Sequence, residues 1–233
     1  SPENYTITTT SEITFQNIIS LRNLNWEYGS PNYSNVVIVN FPSLDRVTEN
    51  FILRYEYSLR EFNAPKLREI SRKLTVDYNN IEKFMLPNLK LVGREGSIRY
   101  NEKLNELNLE SLEETMVSGC CDKFSINNNS LLSFINLNSY YSNRYDGNGS
   151  MNYYLEIVEN PNLKTINLGT NLELEAKIYI VKNESLEEIN FSNLSNFKSG
   201  EIGIYENKIL KRINFNSLVS SDFVKDLEYW YEP

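Results

Sequence analysis

Histidine is absent from this chain, and its two cysteines, Cys120 and Cys121, are neighbours. Without histidine there is no imidazole base for a serine or cysteine nucleophile, and no histidine ligand for a zinc site. Adjacent cysteines close only a strained ring, because a disulfide wants its Cα atoms further apart. Two thiols are expected, and neither a disulfide framework nor a metal site. Glycine numbers only nine, and none sits in a loop of the phosphate-cradling kind. No apolar run reaches membrane-spanning length, so no membrane insertion of this segment is expected. Positive charge is short as well. The net charge is -8 and the pI is about 4.8, which argues against nucleic acid as a partner. Arg68, Arg72 and Lys73 are too few, and too mixed with acids, to reverse that. No cofactor is expected and no metal, and the acids are scattered singly. The chain is expected not to be an enzyme.

What the chain does have is a repeat. Eight anchors can be set at Val36, Leu59, Ile81, Leu104, Leu132, Leu163, Leu186 and Leu210. Three residues on stand Val39, Phe62, Phe84, Leu107, Ile135, Ile166, Ile189 and Ile213, all apolar. Five residues on stand Phe41, Ala64, Leu86, Leu109, Leu137, Leu168, Phe191 and Phe215, again all apolar. Between the two columns the residue is asparagine every time except at Met85. Against a 40% apolar background, two columns without an exception are not chance. A period in this range means a solenoid in which each turn buries its apolar side on its neighbours.

The anchor spacings are 23, 22, 23, 28, 31, 23 and 24. Turns of 22–24 residues leave little room for a helix as well as a strand. The alternation around each asparagine predicts short strands at 39–41, 62–64, 84–86, 107–109, 135–137, 166–168, 189–191 and 213–215, in one continuous parallel sheet. A second strand is marked by pairs such as Phe124 and Ile126 or Ile178 and Ile180, with Ile98 alone one turn earlier. Before the anchors, Asn101, Asn129, Asn160, Asn183 and Asn207 form a further column. Asparagine suits a corner, since its amide bonds nearby backbone and it tolerates the left-handed conformation. A leucine column stands after the anchors at Leu44, Leu67, Leu89, Leu112, Leu194 and Leu218, broken by Tyr140 and Asn171. The fold class is therefore mainly β: a β-solenoid of about eight turns with atypical ends. The chain is expected to be one domain over 1–233, with an N-terminal cap at 1–35, repeats over 36–220 and a C-terminal cap at 221–233. A short helix fits in either cap. Trp26 is expected to pack over the open end of the core.

The turn running Ile180, Asn183, Leu186, Ile189, Phe191 and Leu194 resembles the repeat of receptor L domains. These are leucine-rich-repeat-like β-solenoids in the ligand-binding halves of insulin- and EGF-type receptors. The resemblance covers about residues 36 to 220. It implies an extracellular or cell-surface module that binds a protein or glycan, with adhesion among its possible roles. There is no cysteine-rich module in the chain and no disulfide at its ends, which points away from a growth-factor receptor.

The two long spacings bring insertions into consecutive turns, where solenoids often carry their binding loops. One holds Cys120, Cys121 and Asp122. The other makes Tyr140, Tyr141, Arg144, Tyr145, Asp146, Tyr153 and Tyr154 the expected ligand-binding residues. Tyrosine offers rigid contact area that is apolar on its faces and polar at its tip. Two rival readings are a β-helix carbohydrate-active enzyme and a purely structural envelope protein. The enzyme would need clustered acids or bases on the exposed strand positions, where this chain has asparagine.

Overall fold

The computed structural model describes residues 5–7, 12–27, 36–115, 123–139, 154–169, 175–191, 196–197, 199–215, 220–221 and 227–228. The described residues are strands and turns, with no helix among them, so the helix expected to fit a cap is not seen there. Among the described residues every strand pair is parallel except the first, in which Tyr5–Ile7 runs antiparallel to Glu12–Phe15. The strands wind as a three-faced solenoid.

The first face is the one the apolar columns specify. Its strands are Ile38–Asn40, Glu61–Asn63, Lys83–Met85, Glu106–Asn108, Phe134–Leu137, Thr165–Leu168, Glu188–Asn190 and Arg212–Asn214. Most are placed one residue earlier than expected, because the residue before the first apolar column also pairs, as Ile38 does with Glu61. Both apolar columns are buried up to Phe191, and the last pair, Ile213 and Phe215, is half-buried. Glu12–Phe15 extends this face at its N-terminal end by pairing with Ile38–Asn40.

The first face is not one continuous sheet. It parts between Glu106–Asn108 and Phe134–Leu137 into sheets of six and four strands. At the break the column asparagines turn back on their own turn. Asn108 Oδ1 accepts from the Glu110 amide at 3.1 Å, and Asn136 Oδ1 from the Asn138 amide at 3.3 Å. The break falls within the turn of the first long spacing, whose residues 116–122 lie outside the described residues.

The third face runs past that point without interruption. Nine parallel strands form it, among them Phe51–Arg54, Leu74–Asp77, Gly96–Arg99, Lys123–Asn127 and Tyr154–Val158. The expected pairs Phe124 and Ile126, Leu155 and Ile157, Ile178 and Ile180, and Ile202 and Ile204 all point into the core. Ile98 stands alone because its partner position is Gly96. A Cβ there would lie 2.0 Å from the Phe124 ring, so the ring of the next turn fills the missing side chain's place. Between the two large faces lies a second, narrow one of two-residue strands such as Arg46–Val47, Glu69–Ile70 and Leu91–Val92. The proline corners lead into it. Leu44, Leu67 and Leu89 each donate an amide hydrogen bond to the residue three back, closing turns with proline in the favoured second position.

The N-terminal half of the core is aromatic. Phe41, Phe62 and Phe84 stand one above another at 5.7 and 5.8 Å, and Phe51 meets Phe62 edge-on at 5.1 Å. Phe15 stacks on Phe41 at 4.5 Å and meets Trp26 edge-on at 6.3 Å. Trp26 thus packs on the end of the core, as expected. Tyr5–Ile7 covers the exposed edge of the first face, the edge that would otherwise pair with another chain.

Candidate functional site

The corner between the third face and the first is where the sequence concentrates unusual residues. Tyr55, Tyr78, Tyr100, Asn128, Glu159, Lys182 and Glu206 each adopt φ between 54° and 59°. Left-handed backbone costs a non-glycine residue about 1–2 kcal/mol. It recurs here because of the residue after it. In six of these corners that residue is a buried asparagine: Asn79, Asn101, Asn129, Asn160, Asn183 and Asn207. Each of the first five donates its amide N–H to the Oδ1 of the next, at 3.0 to 3.2 Å. Each of the six also donates from Nδ2 to a carbonyl of the preceding turn, as Asn160 does to Ile126 at 2.8 Å. The corner asparagines are therefore an internal hydrogen-bond ladder, and the left-handed residue is the one before each of them.

The ladder fixes the backbone of the left-handed position but not its side chain. Asparagine, glutamate and lysine occupy it in the later turns, and tyrosine in three consecutive early ones. Those three rings stack along the outside of the solenoid. Tyr55 lies 5.4 Å from Tyr78 at 14°, and Tyr78 lies 4.7 Å from Tyr100 at 11°. Tyr78 is 42% exposed and Tyr100 41%, and nearby Tyr57 reaches 62%.

Beside this edge the third face carries a buried acid. The Asp77 side chain is 1% exposed. It accepts from Ser97 Oγ at 2.7 Å and from Arg99 at 2.9 Å, and Arg54 stands 3.5 Å away. The Arg99 proton is held more tightly than usual, chiefly by its hydrogen bond to Asp77, with the Tyr78 and Tyr100 phenols adding to the effect. Arg99 Nε is buried with no hydrogen-bond partner. The tyrosine edge thus has at its side two arginines, Arg54 and Arg99, that share the single charge of Asp77.

The first-face asparagines are half-buried and form ladders in part. Asn63 donates to Asn40 at 2.9 Å, Asn190 to Asn167 at 2.9 Å and Asn214 to Asn190 at 2.6 Å. Most exposed charges are paired between turns, for example Lys90 with Glu113 and Lys211 with Glu187. Among the described residues, no group of His, Cys, Asp or Glu is placed to hold a metal ion.

Of the ligand-binding residues expected from the insertion, Tyr154 alone is among the described residues. Tyr140, Tyr141, Arg144, Tyr145, Asp146 and Tyr153 lie outside the described residues, as do Cys120, Cys121 and Asp122. Tyr154 opens the strand Tyr154–Val158, where its backbone pairs with Lys123 and Lys177. Sequence reasoning missed the tyrosine edge. A signal was available, since Tyr55, Tyr78 and Tyr100 are 23 and 22 residues apart, which is the repeat period itself.

The receptor L domain family model matches residues 160–218. That stretch holds the turns anchored at Leu163, Leu186 and Leu210 and the last three ladder asparagines, and it lies within the expected span of the resemblance. No curated protein and no solved structure gives a match. No helix among the described residues is long and apolar enough to cross a membrane.

Proposed function

We propose that this chain is a non-catalytic binding module of receptor type, secreted or displayed on a cell surface, which engages a protein or glycan through a solenoid face and its inserted loops. The observation that carries this reading is the receptor L domain match over 160–218, within a solenoid of the same kind. Receptor L domains bind ligands and are not enzymes, and the outward first-face positions here carry half-buried asparagines and charges paired between turns, as Lys83 is with Glu106 and Arg212 with Glu188. The chain acts as a single domain, with 1–35 and 221–233 closing the ends of the repeats over 36–220. In the inserted loop, Tyr140, Tyr141, Arg144, Tyr145, Asp146, Tyr153 and Tyr154 are the proposed contacts. A pull-down of protein partners alongside a glycan array tests the reading. A specific partner in either is expected. Release of reducing or unsaturated sugars from polysaccharides would overturn it in favour of an enzyme, and failure to bind in both formats would overturn it altogether.

A further inference from the structure

The tyrosine edge calls for an explanation that the backbone does not supply. The left-handed corner accepts asparagine, glutamate and lysine in later turns, so the conformation does not select tyrosine. A bulky aromatic at positive φ is a rare choice. Ring stacking accounts for the rings being together. It does not account for phenols rather than phenylalanines, which would stack as well. Among the described residues, no hydrogen bond holds the hydroxyl of Tyr78 or Tyr100. Nor does any ring cover the Tyr100 face turned away from Tyr78, because the next turn places Asn128 at that corner.

The result is a row of near-parallel phenols, one per turn, with centroids 5.4 and then 4.7 Å apart, ending in a Tyr100 face that no further described ring covers. The spacing discriminates between ligands. An extended peptide advances about 3.2–3.4 Å per residue and presents same-side groups at twice that interval, which outruns the row. Nucleic acid is disfavoured by the net charge of -8. An extended β-1,4-linked glycan advances per sugar by a distance between the two ring spacings. It could therefore place one residue over each phenol. Its hydroxyls both donate and accept, as phenols do. The flat C–H face of a terminal pyranose suits the electron-rich face of an aromatic ring. Arg54 and Arg99 are held on the single carboxylate of Asp77, and the chain's net charge of -8 disfavours an anionic ligand, so the preferred glycan is uncharged.

We propose that the Tyr55–Tyr78–Tyr100 edge is a docking site for an extended, uncharged β-1,4-linked glycan, with each phenol meeting one sugar and Tyr100, the last ring of the row, meeting the terminal one. This deepens the binding-module reading and rests on it. The test is titration calorimetry with cellohexaose and chitohexaose, with α-linked maltohexaose as the control. Binding of at least one β-linked hexaose in preference to maltohexaose is expected. Tyr100→Ala should weaken it at least tenfold. Tyr100→Phe keeps the stack and the fold, and should weaken it several-fold with an unchanged melting temperature. If neither β-linked hexaose binds the intact chain, or if both Tyr100 variants bind as the parent does, the site is wrong. In either case, a partner found by pull-down or on the glycan array would leave the module reading standing, and absence of any partner would remove both.

Discussion

Asparagine does two different jobs in this chain, and single substitutions should separate them. Asn160 is fully buried. It accepts from the Asn129 amide at 3.0 Å and donates to the Ile126 carbonyl at 2.8 Å. Asn160→Ala strands a donor and an acceptor inside the core, at roughly 1–3 kcal/mol for each. Asn190 lies on the half-buried outer side of the first face, where water can replace its ladder partners. Asn190→Ser should therefore cost about 1 kcal/mol or less. Its neighbour Ile189 is fully buried, and Ile189→Asn should cost about 2–5 kcal/mol through lost packing and an amide without a partner. Denaturant melts of the three variants check the order, and equal losses would contradict the face assignment. The sequence shows the corner column from Asn101 onward but hides Asn79. The Asn79 turn has one residue fewer between asparagine and anchor, so the column slips by one at Ile81. The same slip moves the third-face pair to Leu74 and Val76, which is why the early turns look irregular.

Elements in this fold are coupled from turn to turn. The clearest case is the Gly96–Arg99 strand under Lys123–Asn127, where the Phe124 ring occupies the space beside Gly96. Gly96→Ala forces that buried ring to move and should cost roughly 1–3 kcal/mol. Phe124→Leu in the same chain should recover part of the loss, a positive coupling that a double-mutant cycle reads directly. A chain in which the two losses simply add would show that the ring does not fill this place. Charge couples the elements more weakly. The carboxyl pKa values of Asp45, Glu49, Glu187 and Glu188 are held below the ordinary 3.8 or 4.5, chiefly by hydrogen bonds from Arg68, Arg22, Lys211 and Arg212 respectively. A lowered acid pKa stabilises the fold above the unfolded value, and that stability is lost as the pH falls through the folded value. Melting temperature should therefore hold above about pH 4.5 and decline below it. The decline should be smaller in high salt, because these groups are exposed and screened. A decline that begins near neutrality would contradict this assignment.

At the scale of the whole molecule, architecture was legible and the candidate site was not, for one physical reason. Burial makes the same demand in every turn, so it writes columns that a single sequence displays. A surface site makes its demand once, and its residues vary around it. The tyrosine edge is an intermediate case, since it repeats for three turns and then gives way to Asn128 and Glu159. The interruption of the first face was hidden too, because the apolar columns run straight through it while the hydrogen bonds do not. The loop between 140 and 153 lies outside the described residues, but its flanks are described. The strands on either side of it keep their register with their neighbours: Phe134 pairs with Thr165, and Tyr154 pairs with Lys123 and Lys177. The ladder from Asn129 to Asn160 crosses the same turn at 3.0 Å. The solenoid therefore closes without help from the loop's length. Replacing residues 143–150 by a short linker should change stability little, because halving a flexible loop alters its closure entropy by only about 0.6 kcal/mol. A thermal melt within a few degrees of the parent is expected. A cooperative loss of fold would mean that the loop packs as part of the core. Combined with the array and pull-down, the same variant divides the surface between two loci. Loss of a partner that Tyr100→Phe still binds assigns that partner to the loop, and retained binding assigns it to a face or to the tyrosine edge.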